Sequence, residues 1–181
     1  MFAAEPGPPD IGLIEWGLIR KEAMMSIPRH IKEYLDSTHV SYRHAIHSPA
    51  FTAQEIAHVQ HVSGKQLAKT VMVLADKKLV MAVLPASHRL DLDAFKKSLG
   101  ARKLRLAKEE EFEKVFPGCE LGAMPPLGNL YDVSVWVDET LHANPSLVFN
   151  AGSHIDTIEM SYSDFERLVQ PRRDHFAVLS H

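Results

Sequence analysis

Two short segments of this chain combine residue types that could bind and polarise a carbonyl group. The first is a loop that begins at Gly122 and contains two consecutive prolines. The prolines restrict the backbone, and the glycine lets it approach a ligand closely. Such a loop can hold fixed N–H groups toward a carbonyl oxygen, as an oxyanion hole does, although a purely structural turn accounts for the same residues. The candidate residues of this loop are Gly122, Ala123, Met124, Pro125 and Pro126.

The second segment is a turn of small residues that runs from Asn150 to His154 between two predicted strands. Its candidate substrate-binding residues are Gly152, Ser153 and His154. A bulged hairpin explains the same pattern equally well. His154 itself has two interpretations: it lines a pocket, or it is a hydrogen-bonded residue of the strand that follows.

Lys69 is a third candidate, because it begins a predicted strand immediately after a helix and a turn that contains Gly64. At the end of an element, its ammonium group can meet a phosphate or a carboxylate as a point charge. The sequence therefore indicates Lys69 as a contact for an anionic substrate.

Other kinds of chemistry find little support in the sequence. Two histidine pairs are spaced by three residues, His44 with His47 and His58 with His61, but no carboxylate lies at a matched offset and no HExxH motif occurs. Cys119, the single cysteine, has no base at a recognisable spacing, and no GxSxG, P-loop or GxGxxG motif is found. We therefore expect no metal site, no cofactor and no covalent intermediate with the protein.

The composition is that of an ordinary soluble globular protein. The 181 residues are 45% hydrophobic and 24% charged, which suits one domain that buries its own core. A single cysteine excludes an intrachain disulfide and favours a reducing compartment. No apolar run reaches the roughly 20 residues that cross a bilayer, and the N-terminus lacks a signal-peptide pattern. We expect a cytoplasmic protein without a membrane partner.

The charge is unevenly distributed along the chain. The net charge of −3 argues against a generally basic nucleic-acid coat protein, and we expect no DNA partner. Residues 65–108, however, contain eleven Lys and Arg against three Asp, which makes this segment +8 and leaves −11 for the rest. One face could therefore suit a polyanion, although scattered solvated lysines explain the pattern as well.

The elements that position the candidate residues form an irregular mixture of helices and strands. The predicted helices cover 26–36, 52–61, a segment that Asp91 or Asp93 opens and Gly100 ends, 109–116, and a last helix capped by Ser163 with Glu166. The predicted strands cover 40–45, 70–75, 79–86, 103–106, 131–137, 146–151 and 154–160. The strands at 70–75 and 79–86 read as a hairpin at the centre of the sheet.

This order predicts an α/β domain of the mixed α+β type. Because strands and helices do not alternate strictly, a mixed sheet curled toward a barrel is favoured over a doubly wound parallel fold. Residues 1–24 hold three prolines and no sustained period, so they are interpreted as an extension, with the folded domain at residues 25–181.

Four segments taken together resemble one family. They are LAKTVMVLAD at 67–76, VMAVLPA at 80–86, the glycine-to-proline stretch 122–126 within ELGAMPPLG, and VFNAGSH at 148–154. In this order they are similar to the YbaK-type aminoacyl-tRNA deacylases, which include the editing insertion of bacterial prolyl-tRNA synthetase. The resemblance covers residues 27–176 and implies a single domain with a mixed, partly barrel-like sheet flanked by helices.

The resemblance also implies an activity and a set of site residues. The expected reaction is hydrolysis of the ester between a wrong, small amino acid and the terminal adenosine of tRNA, with neither a metal nor a protein nucleophile. Lys69 and Gly122 are the implied catalytic residues, and the remaining loop and turn residues named above bind substrate. The implied partners of this chain are the acceptor end of aminoacyl-tRNA and an aminoacyl-tRNA synthetase.

Two alternatives stay open beside this reading. One is a non-catalytic module that binds an aminoacyl-tRNA or a synthetase, and the other is a hydrolase with a histidine-bound metal. The sequence departs from the best-known members in its N-terminal extension and in Ser153-His154, so the amino acid removed, Ala, Ser, Thr or Cys, is left open.

Overall fold

The computed structural model of the chain describes residues 27–47 and 63–180. In chain order its strands are β1 (Tyr42–Ile46), β2 (Ala68–Ala75), β3 (Lys78–Pro85), β4 (His88–Leu90), β5 (Leu104–Leu106), β6 (Ser134–Asp138), β7 (Ser146–Asn150), β8 (Asp156–Ser161), β9 (Arg172–Asp174) and β10 (Ala177–Leu179). Its α-helices are α1 (Arg29–Ser37), α2 (Leu92–Leu99) and α3 (Tyr162–Val169). The predicted helix at 52–61 and the extension at 1–24 lie outside the described residues.

The strands form three sheets. A five-stranded sheet has the order β5-β2-β3-β6-β9, with parallel pairing of β3 to β6 and β6 to β9. A three-stranded antiparallel sheet has the order β1-β8-β7, and β4 pairs with β10. A parallel bridge between Leu67 and Val148 links the two larger sheets. The mixed α+β class is thus confirmed, and within the described ranges the sheets stay open rather than closing into a barrel.

The β2–β3 hairpin is the centre of the larger sheet, as predicted. Its alternate residues face two separate cores, because both faces of the sheet are covered. Met81 and Val83 pack in the core that contains α1, α3 and the three-stranded sheet. Ala82 and Leu84 pack in the smaller core around Phe95 of α2. The continuous apolar runs in the sequence reflect this burial on both sides.

Local capping chemistry fixes the ends of two helices. The Asp91 side chain accepts hydrogen bonds from the backbone N–H groups of Asp93 and Ala94, which starts α2, and Gly100 ends it with φ +62°. Both ends were predicted, with Asp91 chosen over Asp93. Helix α3 is capped by Ser161, which accepts from the Asp164 N–H, so the prediction of Ser163 as its cap was wrong by two residues.

The predicted helix at 109–116 was wrong. Only a 3₁₀ turn forms, at Glu109–Glu111. The Glu111 carboxylate folds back to accept from the Lys108 N–H at 2.8 Å and binds the Arg105 guanidinium through both of its oxygens. The chain then continues in turns that bury Phe112 and Phe116 in the larger core. Pairing of this glutamate with Arg105 of β5, together with the burial of the two phenylalanines, outweighs the local preference for a helix.

No helix in the described ranges is long and apolar enough to span a membrane.

Candidate active site

The two predicted segments, the loop at 122–126 and the turn at 150–154, lie against each other. The Gly152 N–H donates to the Ala123 carbonyl oxygen at 3.0 Å, and the Glu120 N–H donates to the Gly152 carbonyl oxygen at 2.8 Å. The Glu120 carboxylate also accepts from the His154 N–H at 2.8 Å. Backbone hydrogen bonds therefore fix the geometry between loop and turn, although 30 residues separate them in sequence.

Gly122 is the exposed end of this loop and has a backbone that favours glycine. Its φ of +86° lies in the left-handed region. Its N–H points at the Met124 sulfur at 3.3 Å, and a thioether is a weak acceptor. A carbonyl oxygen or an oxyanion would be a much stronger acceptor for this N–H group. Gly122 can therefore supply the backbone donor that the sequence suggested.

The His154 side chain forms a wall beside Gly122. Its Nε2 atom is 2.9 Å from the Leu121 carbonyl oxygen and donates to it. A Cβ atom placed on Gly122 would lie 3.5 Å from His154 Cε1. Because β8 begins only at Asp156, His154 belongs to the turn before the strand, and its imidazole lies next to the candidate donor.

The rest of the predicted loop lies behind Gly122. Ala123, Met124, Pro125 and Pro126 are all buried, and Met124 is part of the larger core. Their burial packs the loop against the body of the protein. These buried side chains do not face solvent. The residues can contact a substrate through their backbone groups, or through their side chains if binding exposes them.

Gly152 and Ser153 are also buried, and contacts within the protein account for both. A Cβ atom on Gly152, whose φ is +102°, would lie 2.7 Å from Pro28 Cδ and 2.8 Å from its Cγ. The Ser153 hydroxyl donates to Asp156 at 2.5 Å. The start of α1 and the first residue of β8 thus hold the turn from two sides.

Asp156 joins a hydrogen-bond network that the sequence did not reveal. Its side chain is fully buried, and it accepts from Ser153 through Oδ2 and from His44 Nε2 through Oδ1 at 2.6 Å. His44 lies on β1, 112 residues away in sequence. Such a contact depends on the pairing of β1 with β8, so no local pattern could have predicted it.

Lys69 lies on β2 beyond the bridge between Leu67 and Val148. Its side chain is partly buried, its Nζ atom makes one long hydrogen bond of 3.5 Å to the Ala86 carbonyl oxygen, and burial lowers the pKa of its ammonium group. Because the bridge between Leu67 and Val148 is parallel, Lys69 on β2 and Asn150 on β7 each lie two residues beyond it in the same direction. In the part of the chain that the structure describes, no hydrogen bond or ion pair joins Lys69 to the loop at 122–126.

Asn150 is a further candidate: it begins the predicted turn but was not among the predicted substrate-binding residues. Its Oδ1 atom is buried and accepts no hydrogen bond from the described residues. Buried side-chain carbonyl groups usually have a donor, so an orphaned one favours a ligand. The VFNAGSH segment contained this residue, and its position just ahead of Gly152 was the available signal.

Cys119 is poorly suited to act as a nucleophile. Burial raises the pKa of its thiol, and its sulfur lies 3.8 Å from the Tyr131 hydroxyl. The reactive thiolate is therefore disfavoured.

The histidine pairs give no metal cluster in the described segments, where no three His, Cys, Asp or Glu side chains converge. His44 is hydrogen-bonded to Asp156, and the pair His58 and His61 lies outside the described residues.

Comparison with known sequences decides the family. The sequence profile of the aminoacyl-tRNA editing domain matches residues 47–168. The chain belongs to the aminoacyl-tRNA editing domain family. It is 23% identical over 151 residues to the prolyl-tRNA editing protein ProX of Acetoanaerobium sticklandii, covering 80% of this chain and 92% of ProX. It is 29% identical over 126 residues to the proline–tRNA ligase of Streptococcus gordonii, covering 70% of this chain but 19% of the ligase.

Solved structures share the fold of this editing domain. The hypothetical protein APE2540 superposes with a TM-score of 0.74 at 22% identity and covers 82% of this chain and 99% of its own. A proposed trans-editing enzyme for prolyl-tRNA synthetase superposes with a TM-score of 0.72 at 21% identity, with 85% and 98% covered. The overall fold described above is therefore shared with these solved proteins.

Proposed function

We propose that this editing domain is a trans-editing deacylase, which hydrolyses the ester between a wrong, small amino acid and the terminal ribose of tRNA. The observation that carries the proposal is the Gly122 N–H, held at φ +86° beside His154. Among the described residues, this N–H is aimed at no acceptor stronger than the Met124 thioether. The likeness to ProX, which is named for prolyl-tRNA editing and is matched over 92% of its length, supports a separate editing protein.

The chemistry needs an activated water and a donor for the oxyanion. Water adds to the ester carbonyl carbon, and the carbonyl oxygen takes up negative charge. A fixed donor aimed at that oxygen typically contributes about 2.7–4 kcal/mol to the rate of acyl transfer. The Gly122 N–H fills this role by exchanging the weak Met124 sulfur for the oxyanion, while the hydrogen bonds of Gly152 and Glu120 already hold its loop.

The breakdown of the intermediate releases the amino acid and the tRNA. The bond between the carbonyl carbon and the ribose oxygen breaks, and the proton from the attacking water ends on that oxygen. The neighbouring ribose hydroxyl is the group that activates the water, as the family resemblance implies. No protein nucleophile and no metal takes part in this scheme, which agrees with the raised pKa of the Cys119 thiol.

Lys69 and Asn150 bind the substrate on the other side of the site. Within residues 27–47 and 63–180 the partly buried Lys69 ammonium makes one long hydrogen bond, so it can form a stronger one to the 3′ end of the tRNA. The orphaned Asn150 Oδ1 can accept a hydrogen bond from the α-ammonium group of the amino acid. Together they would orient the ester toward Gly122.

Editing by a second site has a physical reason. A synthetase pocket gains only about 1–3 kcal/mol from one methylene group, so it confuses small side chains, and a separate pocket that excludes the larger correct residue removes the errors. The site is closed on its inner side by the buried loop at 123–126. We expect it to accept a small amino acid and exclude a bulky one.

The test is a deacylation assay with tRNAs mischarged with Ala, Ser, Thr or Cys, each measured with and without EDTA. We expect rapid hydrolysis of at least one ester, at a rate that chelation leaves unchanged. Binding of aminoacyl-tRNA without turnover on any ester would contradict the proposal and support a non-catalytic module. Turnover that EDTA abolishes and zinc restores would support the metal hydrolase instead.

A further inference from the structure

A basic groove lies at the opposite end of the β2–β3 hairpin from Lys69. The groove, with a cavity volume of about 1150 Å³, opens between the hairpin turn, α2 and β5. Its basic side chains are Lys77, Lys96, Arg102, Lys103 and Arg105. We call this surface the hairpin groove.

Both acids of the hairpin groove are occupied by contacts within the protein. Asp76 accepts from the backbone N–H groups of Arg102 at 3.0 Å and Lys103 at 2.8 Å, and these bonds lower the pKa of its carboxyl group. Glu111 is bound by Arg105, which lowers its pKa to about 2. Both carboxyl groups are therefore ionised, and each is already hydrogen-bonded within the protein.

Four cations of the groove form no such close contact, although the Asp76 carboxylate attracts Lys96 and Arg102 from a longer distance. The side chains of Lys77, Lys96, Arg102 and Lys103 make no hydrogen bond or ion pair with the described residues. Five basic side chains against two acids leave the groove with a net charge of +3, so its cations repel one another more than the acids offset. A clustered set of basic side chains of this kind is typical of a surface that binds a polyanion.

The conformation of Lys77 adds a second, independent observation. The hairpin turn consists of Asp76 and Lys77 at φ +47° and +70°, as in a two-residue type I′ turn. Gly is favoured at the second position of this turn, and an L side chain with left-handed backbone costs about 1–2 kcal/mol. A lysine here does not improve folding, but it projects its charge from the hairpin tip into the groove.

We propose that the hairpin groove binds the phosphate backbone of the tRNA acceptor stem. The identity of the polyanion rests on the proposed function. Lys69 on β2 and Asp76 in the turn that follows it are seven residues apart, which at about 3.3 Å per residue is about 23 Å. At about 3.4 Å per stacked nucleotide, a single-stranded end of four nucleotides covers only about 14 Å. If the ester lies near Lys69, the single-stranded end is too short to extend as far as the groove. The phosphates that reach the groove therefore belong to the base-paired stem.

The experiment measures the affinity of two RNA probes as a function of salt. One probe is a labelled hairpin with a seven-base-pair stem and a single-stranded ACCA end, and the other is the ACCA tetranucleotide alone. The groove variant is Lys77→Gly/Lys103→Ser. The matched control is Arg89→Ser/Lys114→Ser, which removes the same charge from two exposed residues outside the groove.

We expect the groove variant to bind the stem probe about tenfold more weakly at low salt, with the slope of log affinity against log salt reduced by about 2. The control variant should bind it like the parent, and all three proteins should bind the tetranucleotide equally. Lys77→Gly relieves the left-handed strain, so the groove variant should melt no lower than the parent. Misfolding would then not explain a loss of affinity.

Equal affinity of the groove variant and the parent for the stem probe, with an unchanged salt slope, would overturn the proposal. An equal loss in the control variant would also overturn it, because the effect would then come from net charge alone. Hydrolysis of an alanylated ACCA tetranucleotide tests the proposed function separately, since this short ester does not reach the groove. The groove variant should hydrolyse it at the parent's rate.

Discussion

At the scale of single residues, the site is built on two glycines that serve different purposes. Gly122 is exposed and offers an N–H group, while Gly152 is buried and leaves room for Pro28. The sequence singled out both, because a glycine beside prolines or within a polar turn is a local signal. It could not separate their roles, since the contact with Pro28 joins residues 124 positions apart.

Lys69 gives a prediction that separates activity from stability. Replacement by Met should abolish most of the deacylation and leave the fold intact, because the side chain makes one long hydrogen bond and keeps a charge partly buried. Burial lowers the pKa of Lys69 in the folded protein below 10.5, its value in the unfolded chain. At a pH between the folded-state pKa and 10.5, the unfolded chain therefore binds more protons than the folded one. The contribution of Lys69 to the unfolding free energy of the parent protein therefore rises with pH in that range.

Lys69→Met should accordingly melt at least as high as the parent at neutral pH, and its advantage should shrink as the pH approaches 10.5. Thermal melting across this range and single-turnover deacylation at pH 7 are the two measurements. Full activity of Lys69→Met would remove Lys69 from the site.

The buried carboxylate of Asp156 gives a second prediction at this scale. Asp156→Asn retains one acceptor but places an amide donor against Ser153 or His44, which both donate to the carboxylate. Because a hydrogen bond to a charged group contributes about 1.5–3 kcal/mol, we expect a loss of this order in unfolding free energy. Deacylation should fall as well, since the turn beside Gly122 loses its anchor.

Ser153→Ala is the milder comparison, because it removes the Ser153 donor and leaves Asp156 hydrogen-bonded to His44. Urea unfolding and the deacylation rate of both variants check the prediction. An Asp156→Asn protein with parental stability would show that the network does not hold the turn.

At the scale of elements, local signals predicted what local interactions determine. The hairpin followed from two apolar runs, and α2 followed from Asp91 and Gly100. The segment at 109–116 failed because Glu111 pairs with Arg105 rather than supporting a helix. The joining of loop and turn was equally out of reach, because it depends on backbone hydrogen bonds between distant segments.

The contact between α1 and the turn gives a prediction at this scale. Gly152→Ala puts a methyl group within 3 Å of the Pro28 ring and imposes a positive φ on alanine. Strain and overpacking of this kind each cost about 1–3 kcal/mol, so we expect a large loss of stability. The double variant Pro28→Gly/Gly152→Ala should recover the share that comes from overpacking, because the ring is gone.

Urea unfolding of the two single variants and the double variant measures this coupling. Additive effects of the two substitutions would contradict the proposed contact between the start of α1 and Gly152.

At the scale of the whole molecule, charge distribution carries a prediction for tRNA binding. The chain is acidic overall at −3, while residues 65–108 are +8 and contain all five cations of the hairpin groove. Few phosphates can be neutralised by so acidic a protein, so the slope of log affinity against log salt should be shallow, on the order of −2 to −4. Titrations of tRNA at several salt concentrations check it, and affinity indifferent to salt would remove the electrostatic argument.

The most direct test of the account is the single-turnover deacylation rate of Gly122→Val, compared with Gly100→Val. Both glycines have positive φ, but Gly100 ends α2 with open space around it, so the control carries the backbone strain without touching the site. We predict that Gly122→Val hydrolyses the best ester of the panel roughly a hundredfold more slowly, about 3 kcal/mol in transition-state stabilisation, while Gly100→Val keeps the parental rate. Thermal melting shows whether both variants are folded. A folded Gly122→Val protein that deacylates at the parental rate would contradict the central claim that the Gly122 N–H stabilises the oxyanion.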